Sequence, residues 1–352
     1  MSKYLVVASP SIGGAERRFF DIFKSLVEKG EDIYFIAPDL LLEKLDNNYE
    51  YRERIVDIKL KKWSYILFCI KLYFGCILSS SKEDVFHYPL NPPFFLHFLP
   101  IRKYSISYCY CYCYSRPKLS FKSIGLSLQR IAGMFAKSID VLSPTVFSEL
   151  KHDSRTTLTP GGTFVYSPDY SCDGDKRNVA IVSRLENGKG IDTYFTIVNR
   201  LKSYESDLKN GLPSFRIYGD GSMKSWVVEI VGKLVKDGVD IRYMGFESPQ
   251  EIFKNSGLVF SLQDKTNYPS RVVIESLLSG SQVVVLNTGD SKKFGNIKGL
   301  YYLEQELTNL IDIVNTASDI SQNLKSKKDI SEMTKRRINA TSYLDYYSRV
   351  IS

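Results

Sequence analysis

Short apolar runs alternate with stretches of helical spacing along the first half of the chain. The run "KYLVVAS" has the composition of a buried strand, and "AERRFFDIFKSLVEKG" after it predicts a helix that ends at Gly30. The apolar face of that helix contains Ala15, Phe19, Ile22, Phe23 and Leu26. A second strand, "DIYFIAP", follows, and this order is typical of a parallel sheet with helices on both faces.

The second half of the chain repeats this alternation. The predicted strands are "NVAIVSRL", "SFRIYGDG", "VDIRYMGF", "LVFSLQD" and "QVVVLNT". The predicted helices between them are "GIDTYFTIVNRLKS", "SWVVEIVGKLVKD" and "SRVVIESLLSG". Two doubly wound α/β halves are therefore expected, and the cleft between two such domains is the default binding site.

The domain boundaries are expected near the polar segment that joins the two halves. We predict an N-terminal Rossmann-like domain over 1–165 and a C-terminal one over 166–335. Residues 336–352 contain "TSYLDYYSRVIS", an aromatic and amphipathic pattern. We predict that this last helix packs back on the N-terminal domain.

Charge is unevenly distributed between the halves. The chain of 352 residues has a net charge of +8, and residues 1–165 contain 22 Lys and Arg against 16 Asp and Glu, a surplus of 6. This bias favours an anionic partner on the N-terminal side. The clustered basic and aromatic pattern of a nucleic-acid binder is missing from the sequence, so no nucleic-acid partner is expected.

The most apolar long segment runs from Trp63 to Ser79. It is short for a membrane-spanning helix and contains Lys71 in its middle, which predicts a buried or interfacial helix. The preceding "KLKKW" resembles an anchor for an acidic membrane surface, and a solvated basic loop explains it equally well. With no apolar signal segment and six cysteines, we expect a cytoplasmic protein, peripheral on the inner face of the membrane.

Half of the cysteines lie in "SYCYCYCYS", where Cys109, Cys111 and Cys113 alternate with tyrosines. Alternation places them on one face of a strand, ~6.6 Å apart, which is poor geometry for disulfides. A zinc site would need a fourth ligand, and His87 is the only distant candidate. The favoured interpretation is a strand whose small cysteines pack beneath helices.

Two stretches suggest an anion site. In "SIGGAERRFF" a glycine pair between strand and helix lets backbone amides approach a ligand, although a structural turn explains it equally. In "VSRLENGKG" Arg184 ends a strand and Lys189 precedes a helix, so both suit an anionic diphosphate. The alternative for this stretch is an exposed loop with two ordinary surface charges.

Two further stretches complete the pattern. "YGDGSM" is a glycine-flanked turn after a strand, common in nucleotide-binding sheets. "NYPSRVVIESLLSG" places Glu275 inside an apolar helical run, where a carboxylate needs a hydrogen-bonding partner. A ligand or a structural ion pair could supply that partner.

In this order, the four stretches resemble glycosyltransferase family 4, retaining enzymes of the GT-B fold. The resemblance implies an α/β protein with two Rossmann-like doubly wound domains facing across a cleft. It implies a nucleotide-diphosphate sugar as co-substrate, with no cofactor and no metal ion. The acceptor that it implies is a glycan, with a lipid-linked glycan favoured, in bacterial surface polysaccharide synthesis of the lipopolysaccharide O-antigen type.

Carried over residue by residue, the resemblance makes Arg184 and Lys189 the clamp on the donor diphosphate and Glu275 the ligand of the ribose. Gly14 and Asn267 would lie at the reacting centre. The residues expected near the donor base and sugar are Gly219, Met244, Gly245, Phe246, Tyr268, Pro269 and Ser270.

Two departures from the family pattern concern donor recognition. Asn267 stands where the motif has its first glutamate. The strand that in many relatives ends in a histidine near the donor sugar here ends in Tyr112, Cys113, Tyr114 and Ser115. We therefore expect altered donor recognition in a retaining hexosyl- or deoxyhexosyltransferase.

Three alternatives compete with this function. A GT-B pseudoenzyme would bind a nucleotide sugar or a partner transferase without turnover, and a GT-B sugar-nucleotide epimerase fits the motifs less well. A metal-dependent transferase would use Asp173 and Asp175 of "CDGDK", but these lie in the expected linker, where a solvated turn is favoured.

Overall fold

The computed structural model describes most of the chain. The described ranges are 1–10, 12–45, 50–90, 107–112, 133–160, 170–173, 178–321, 323–338 and 340–352. Several residues named above lie outside these ranges, namely Cys113, Tyr114, Ser115 and Asp175.

The chain divides into two compact units. Unit 1 comprises Met1–Pro160 together with Ala340–Ser352, and unit 2 comprises Gly161–Asn339. These divisions fall a few residues from the boundaries expected at 165 and 335. Each unit has its own sheet and its own hydrophobic core.

Unit 1 contains a seven-stranded sheet in the order β3-β2-β1-β4-β5-β6-β7, and each strand pair is parallel. Its strands are β1 Lys3–Val7, β2 Ile33–Pro38, β3 Ile55–Ile58, β4 Val85–Leu90, β5 Ser107–Tyr112, β6 Ser138–Val141 and β7 Thr156–Leu158. Strand β5 is the described part of the cysteine stretch and contains Cys109 and Cys111, so this part is a strand as predicted. Consecutive parallel strands require crossovers, and those that the structure describes contain helices.

The helices of unit 1 cover the sheet. In the described part of Met1–Pro160 they are α1 Gly14–Glu28, α2 Asp39–Leu45, α3 Tyr65–Leu72 and α4 Pro144–Leu150, and α3 continues as a π-helical turn over Tyr73–Ile77. Short 3₁₀ turns occur at Arg52–Arg54 here and at Glu205–Asp207 and Ser291–Phe294 in unit 2. The predicted helix after Trp63 is thus present, and its last turn is π-helical.

Unit 2 contains a six-stranded parallel sheet in the order β10-β9-β8-β11-β12-β13. Its strands are β8 Asn178–Val182, β9 Ser214–Tyr218, β10 Ile241–Gly245, β11 Ser256–Ser261, β12 Gln282–Leu286 and β13 Leu300–Leu303. Its helices are α5 Ile191–Ser203, α6 Lys224–Lys236, α7 Pro249–Asn255, α8 Arg271–Leu278, α9 Leu310–Ser321 and α10 Leu324–Arg337. Every residue of β11 and β12 is buried, which is what helices on both faces of a parallel sheet produce.

The last helix, α11 (Ala340–Val350), packs on unit 1 through its tyrosines. The Tyr347 hydroxyl lies 2.5 Å from Nε2 of the buried His87, and the Tyr346 hydroxyl donates to Oδ1 of the buried Asp140 at 2.5 Å. The Arg18 guanidinium donates to the Tyr343 hydroxyl. Aromatic rings therefore supply apolar packing, and their hydroxyls pair with buried polar groups of the sheet and α1.

His87 is completely buried beneath this helix. Burial, together with the positive charge of Arg18, lowers the pKa of His87 to about 3. The imidazole is therefore neutral at physiological pH. In the part of the chain that the structure describes, no helix is both long enough and apolar enough to cross a membrane.

Candidate functional site

The strand order of unit 2 defines where a ligand is expected. Strand β8 lies between β9 and β11, so the chain winds outward in both directions from the β8–β11 pair. Ligands of open parallel sheets bind outside the carboxyl ends of the strands at such a switch point. The segments that leave β8 and β11 begin at residues 183 and 262 and contain the predicted "SRLENGKG" and "NYPS" stretches.

Lys189 joins these two segments. Its Nζ donates to Oε1 of Gln263 at 2.9 Å, and the Asp264 amide donates to the Gly188 carbonyl at 3.3 Å. Lys189 directly precedes α5, whose N-cap is Gly190. A half-buried ammonium is thereby held at a helix amino terminus, between the carboxyl ends of β8 and β11.

The electrostatic environment of Lys189 is cationic. Burial lowers the pKa of Lys189, and the neighbouring charges of Arg184 and Lys265 lower it further, whereas Glu186 raises it. Arg184 is largely exposed and lies 3.5 Å from Glu186. An anion bound among these three cations would raise the pKa of Lys189 again, because a nearby negative charge stabilises the protonated ammonium.

Gly219 requires the absence of a side chain. Its φ is +131°, and a Cβ there would lie 1.8 Å from the carbonyl oxygen of Ser183. The Ser183 amide donates to the Tyr218 carbonyl at 3.1 Å, and the Gly219 amide donates to the Gly245 carbonyl at 2.7 Å. The glycine turn after β9 is therefore pressed against the segment that positions Arg184.

Gly190 is constrained in the same way from the other side. Its φ is +79°, and a Cβ would lie 2.2 Å from the Leu262 carbonyl oxygen. The loop before α5 consequently packs directly on the end of β11. Two backbone contacts, each possible only for glycine, thus fix the loops around the predicted diphosphate clamp.

Asn267 is fully buried, and its amide bonds entirely within unit 2. Its Oδ1 accepts from Ser261 Oγ at 3.0 Å and from the Gln263 amide at 2.9 Å. Its Nδ2 donates to the carbonyls of Leu286 at 3.1 Å and Gln263 at 3.3 Å, and Ser291 Oγ lies 3.4 Å away. In this arrangement the side chain holds the loop after β11 in place, so a direct contact with a ligand requires another rotamer.

Glu275 is buried on α8 and pairs with Arg271 one turn earlier. Arg271 donates through Nε at 3.0 Å and through a terminal nitrogen at 2.7 Å, both to Oε1. No described residue donates a hydrogen bond to Oε2. The structural ion pair considered from the sequence is present, and one carboxylate oxygen stays open for a further donor.

The segment that leads into α8 contains the other predicted donor contacts. Ser270 caps the helix by accepting from the Val273 amide at 3.5 Å, and the Tyr268–Pro269 peptide is cis. Tyr268 is buried, with its ring edge-on to Phe294 at 4.8 Å between centroids. Tyr268 therefore belongs to the core of unit 2 in this structure.

The end of β10 and the residue after it present exposed apolar side chains. Gly245 has a φ of +73°, and Met244 and Phe246 are 38% and 72% exposed. Exposed apolar side chains beside a polar loop are suited to stacking on a planar ligand. Their predicted position near the donor base stays a prediction.

Gly14 belongs to unit 1, where it is the first residue of α1 and is exposed. Its neighbour Gly13 is the N-cap, with φ −146° and no side-chain capping bond. The backbone is extended at Gly13, so this glycine pair is not a left-handed turn. The role of Gly14 at a reacting centre stays a prediction.

Sequence reasoning missed Gln263 and Lys265. Gln263 orients Lys189, and Lys265 adds the third positive charge. Both follow β11 directly in "LVFSLQDKTNYPS", so the rule that ligands bind beyond the strands at a switch point could have found them. No group of three potential metal ligands (His, Cys, Asp or Glu) occurs among the described residues, and Asp173 is exposed.

Comparisons with known proteins complete the description. No protein-family model matches the chain, and no curated protein sequence does either. Solved structures match it over nearly its whole length. Anabaena HepE, solved with UDP and glucose, has a TM-score of 0.72 at 14% identity and covers 99% of this chain and 98% of its own.

Two other structures agree. A variant of S. aureus TarM, solved with fondaparinux, alpha-GlcNAc-glycerol and UDP, has a TM-score of 0.74 at 12% identity and covers 100% of both chains. Sucrose-phosphate synthase from Thermosynechococcus elongatus has a TM-score of 0.73 at 13% identity, covering 99% of this chain and 98% of its own. The protein therefore has the GT-B fold, and the predicted resemblance is confirmed at the level of the fold.

Proposed function

We propose that the protein is a retaining glycosyltransferase that moves a sugar from a nucleoside-diphosphate sugar to a glycan acceptor. The observation that carries the proposal is the cluster of Arg184, Lys189 and Lys265 at the β8–β11 switch point. A nucleoside diphosphate leaves with developing negative charge, and prearranged cations stabilise that charge. The GT-B fold, shared with structures solved with UDP, supports the same assignment.

The contacts support the following roles within the proposed site. We assign Arg184 and Lys189 to the donor diphosphate, and Lys265 as an additional cation beside it. The open Oε2 of Glu275 is suited to accept hydrogen bonds from ribose hydroxyls. The cations replace a metal ion in this proposal, so turnover is expected to survive a chelator.

Asn267 has a positioning role in this proposal. The hydrogen bonds of its amide to Ser261, Gln263 and Leu286 fix the loop that contains Lys265, and a carboxylate at the same place would face two backbone carbonyls. An asparagine amide, which both accepts and donates, therefore matches the hydrogen-bonding groups of this loop. The competing function, binding of a nucleotide sugar without turnover, would also keep this loop and its cations, so turnover itself has to be measured.

The acceptor in the proposal is a glycan attached to a lipid carrier in surface polysaccharide synthesis. The support is the N-terminal charge surplus and the resemblance noted from the motifs.

The test is release of nucleoside diphosphate from panels of UDP- and GDP-sugars, with and without glycan acceptors. One donor should be turned over, with retained anomeric configuration by NMR. Arg184→Ala and Lys189→Ala should each lower kcat/KM roughly 10- to 100-fold, since each removes a charge-assisted hydrogen bond of about 1.5–3 kcal/mol. Arg242→Ala and Lys233→Ala, which remove exposed cations elsewhere on unit 2, should leave it unchanged.

Two results would count against this function. Binding of a nucleotide sugar with no release across the whole panel would favour the pseudoenzyme. Turnover that is equal in wild type, Arg184→Ala and Lys189→Ala would place the donor elsewhere.

A further inference from the structure

Helix α3 and its π-helical continuation are apolar on two opposite faces. One face is buried in the core of unit 1 through Phe68, Cys69, Leu72, Cys76 and Ile77. The other face presents four apolar side chains to solvent: Ile66, Leu67, Ile70 and Phe74, which are 70%, 49%, 46% and 66% exposed. We call these four side chains the apolar stripe.

The spacing of the stripe is that of one continuous helix face. Leu67, Ile70 and Phe74 follow one another at three and four residues, and Ile66 lies beside Leu67. A helix that only packs against a sheet needs one apolar face, with polar residues on the other. The four side chains of the stripe lie outside the hydrophobic core of unit 1 as the structure describes it, and contiguous exposed apolar patches mark interaction surfaces.

Lysines border the stripe on one side. Lys71 lies on the same helix face, four residues after Leu67, and its Nζ donates to the Lys59 carbonyl at 2.5 Å. Lys59, Lys61 and Lys62 are exposed and line one shallow depression together with Leu67 and Lys71. None of the described acidic residues forms an ion pair with these lysines.

One carboxylate belongs to the same depression. Asp39 accepts hydrogen bonds from the Leu60 amide at 3.1 Å and from the Leu40 amide at 2.9 Å. It is thus engaged with the backbone at the base of the depression, and four lysines outnumber it there. This depression beside the stripe is therefore cationic.

We propose that the apolar stripe and Lys59, Lys61, Lys62 and Lys71 form a docking surface for an anionic lipid bilayer. Apolar side chains at one helix face with lysines beside them match the layered chemistry of such a membrane, where acyl chains lie beneath a plane of phosphates. A second protein chain would not require four lysines without a described ion pair at the margin of the contact. The inference concerns unit 1 alone and holds whether or not the proposed transfer reaction is correct.

Charge and apolar contact contribute separately. Each lysine near an acidic surface adds about 1 kcal/mol, which corresponds to roughly a fivefold change in partitioning. Burying an exposed isoleucine or phenylalanine adds enough to change partitioning by about tenfold. The full-length protein should therefore bind anionic vesicles strongly and neutral vesicles weakly.

The experiment is vesicle co-flotation of the full-length protein. Vesicles of phosphatidylglycerol and phosphatidylcholine in equal parts are compared with phosphatidylcholine alone. The double variant Ile66→Ser/Phe74→Ser should bind anionic vesicles at least about tenfold more weakly. Lys61→Glu/Lys62→Glu should abolish the preference for anionic vesicles.

The matched control is Val228→Ser/Val235→Ser, which removes two half-exposed apolar side chains from α6 of unit 2. Its binding should equal that of wild type. Because all the altered side chains are exposed, each variant should unfold at the wild-type temperature. Trp63, directly before α3, supplies a second readout, since its fluorescence should shift to the blue on binding in a Trp226→Phe background.

Three results would overturn the proposal. They are equal binding to both kinds of vesicle, no binding to either, and unchanged binding of Ile66→Ser/Phe74→Ser. A wild-type dimer in sedimentation equilibrium that this double variant abolishes would assign the stripe to a second copy of the chain instead.

Discussion

Replacing Asn267 by aspartate tests whether this side chain supports the loop or contacts a ligand. The substitution restores a carboxylate at the place where the family motif has its first acid, at almost unchanged size. In the folded protein the new oxygen would replace Nδ2, which now donates to the carbonyls of Leu286 and Gln263 at 3.1 and 3.3 Å. A charged oxygen there would face two carbonyl oxygens inside a fully buried site.

The folded state will accept this aspartate only in its protonated form, which raises its pKa above the unfolded value near 3.9. With a raised folded pKa, stability is complete below the unfolded pKa and is lost as pH rises toward the folded pKa. The loss is about 1.4 kcal/mol per pH unit, or roughly 4 kcal/mol between pH 5 and pH 8. Asn267→Ala, which removes the same hydrogen bonds without adding a titratable group, should lose stability equally at both pH values.

The assay is urea unfolding at pH 5 and pH 8. The two tryptophans lie in different units, so Trp226 alone reports unit 2 in a Trp63→Phe background. Values are taken as differences from that background at each pH. An aspartate variant as stable as Asn267 at pH 8, or one whose loss does not grow with pH, would refute the supporting role and return the side chain to the ligand-binding surface.

Three further predictions use the same two reporters. Gly219→Ala should destabilise unit 2 by more than about 2 kcal/mol, because Gly219 has a φ of +131° and an added Cβ would lie 1.8 Å from a carbonyl oxygen. Gly232→Ala, in an open helical position, should stabilise unit 2 slightly. Equal effects of the two substitutions would contradict this reasoning. Unit 1 should lose about 1.4 kcal/mol per pH unit below about 6.5, because His87 has a folded pKa of about 3 and the unfolded state therefore binds more protons in acid. A flat profile down to pH 4 would be inconsistent with the buried imidazole. Tyr347→Phe should lower the stability of unit 1 by about 1 kcal/mol and leave unit 2 unchanged, whereas a shift confined to unit 2 would contradict the packing of α11.

The fold followed from local patterns that periodicity detects. "QVVVL" is a run of β-branched residues, and every residue in it is buried between two layers of helices. Helix α1 could be predicted from the sequence because its apolar and polar positions alternate with helical period. The buried face of the helix from 65 to 77 was harder to predict, since the helix is apolar on two faces and only the packed structure separates its buried face from the exposed stripe.

The sequence predicted those site residues whose role can be inferred from a single loop. Arg184 and Lys189 stand at the end of a recognisable strand before a recognisable helix, so their role could be inferred locally. Gln263 reaches Lys189 across 74 positions of sequence, and only the strand order brings the two segments together. The burial of Asn267 likewise depends on Leu286 and Ser291, which belong to the following strand and loop.

The central claim is that unit 2 binds the diphosphate of a nucleotide sugar at the carboxyl ends of β8 and β11. Calorimetric titration with UDP, GDP and the corresponding monophosphates tests it most directly. One diphosphate should bind and its monophosphate should bind far more weakly, with affinity lost in Lys189→Ala and kept in Lys233→Ala. Equal affinity for monophosphate and diphosphate, or diphosphate binding that Lys189→Ala leaves intact, would contradict the account.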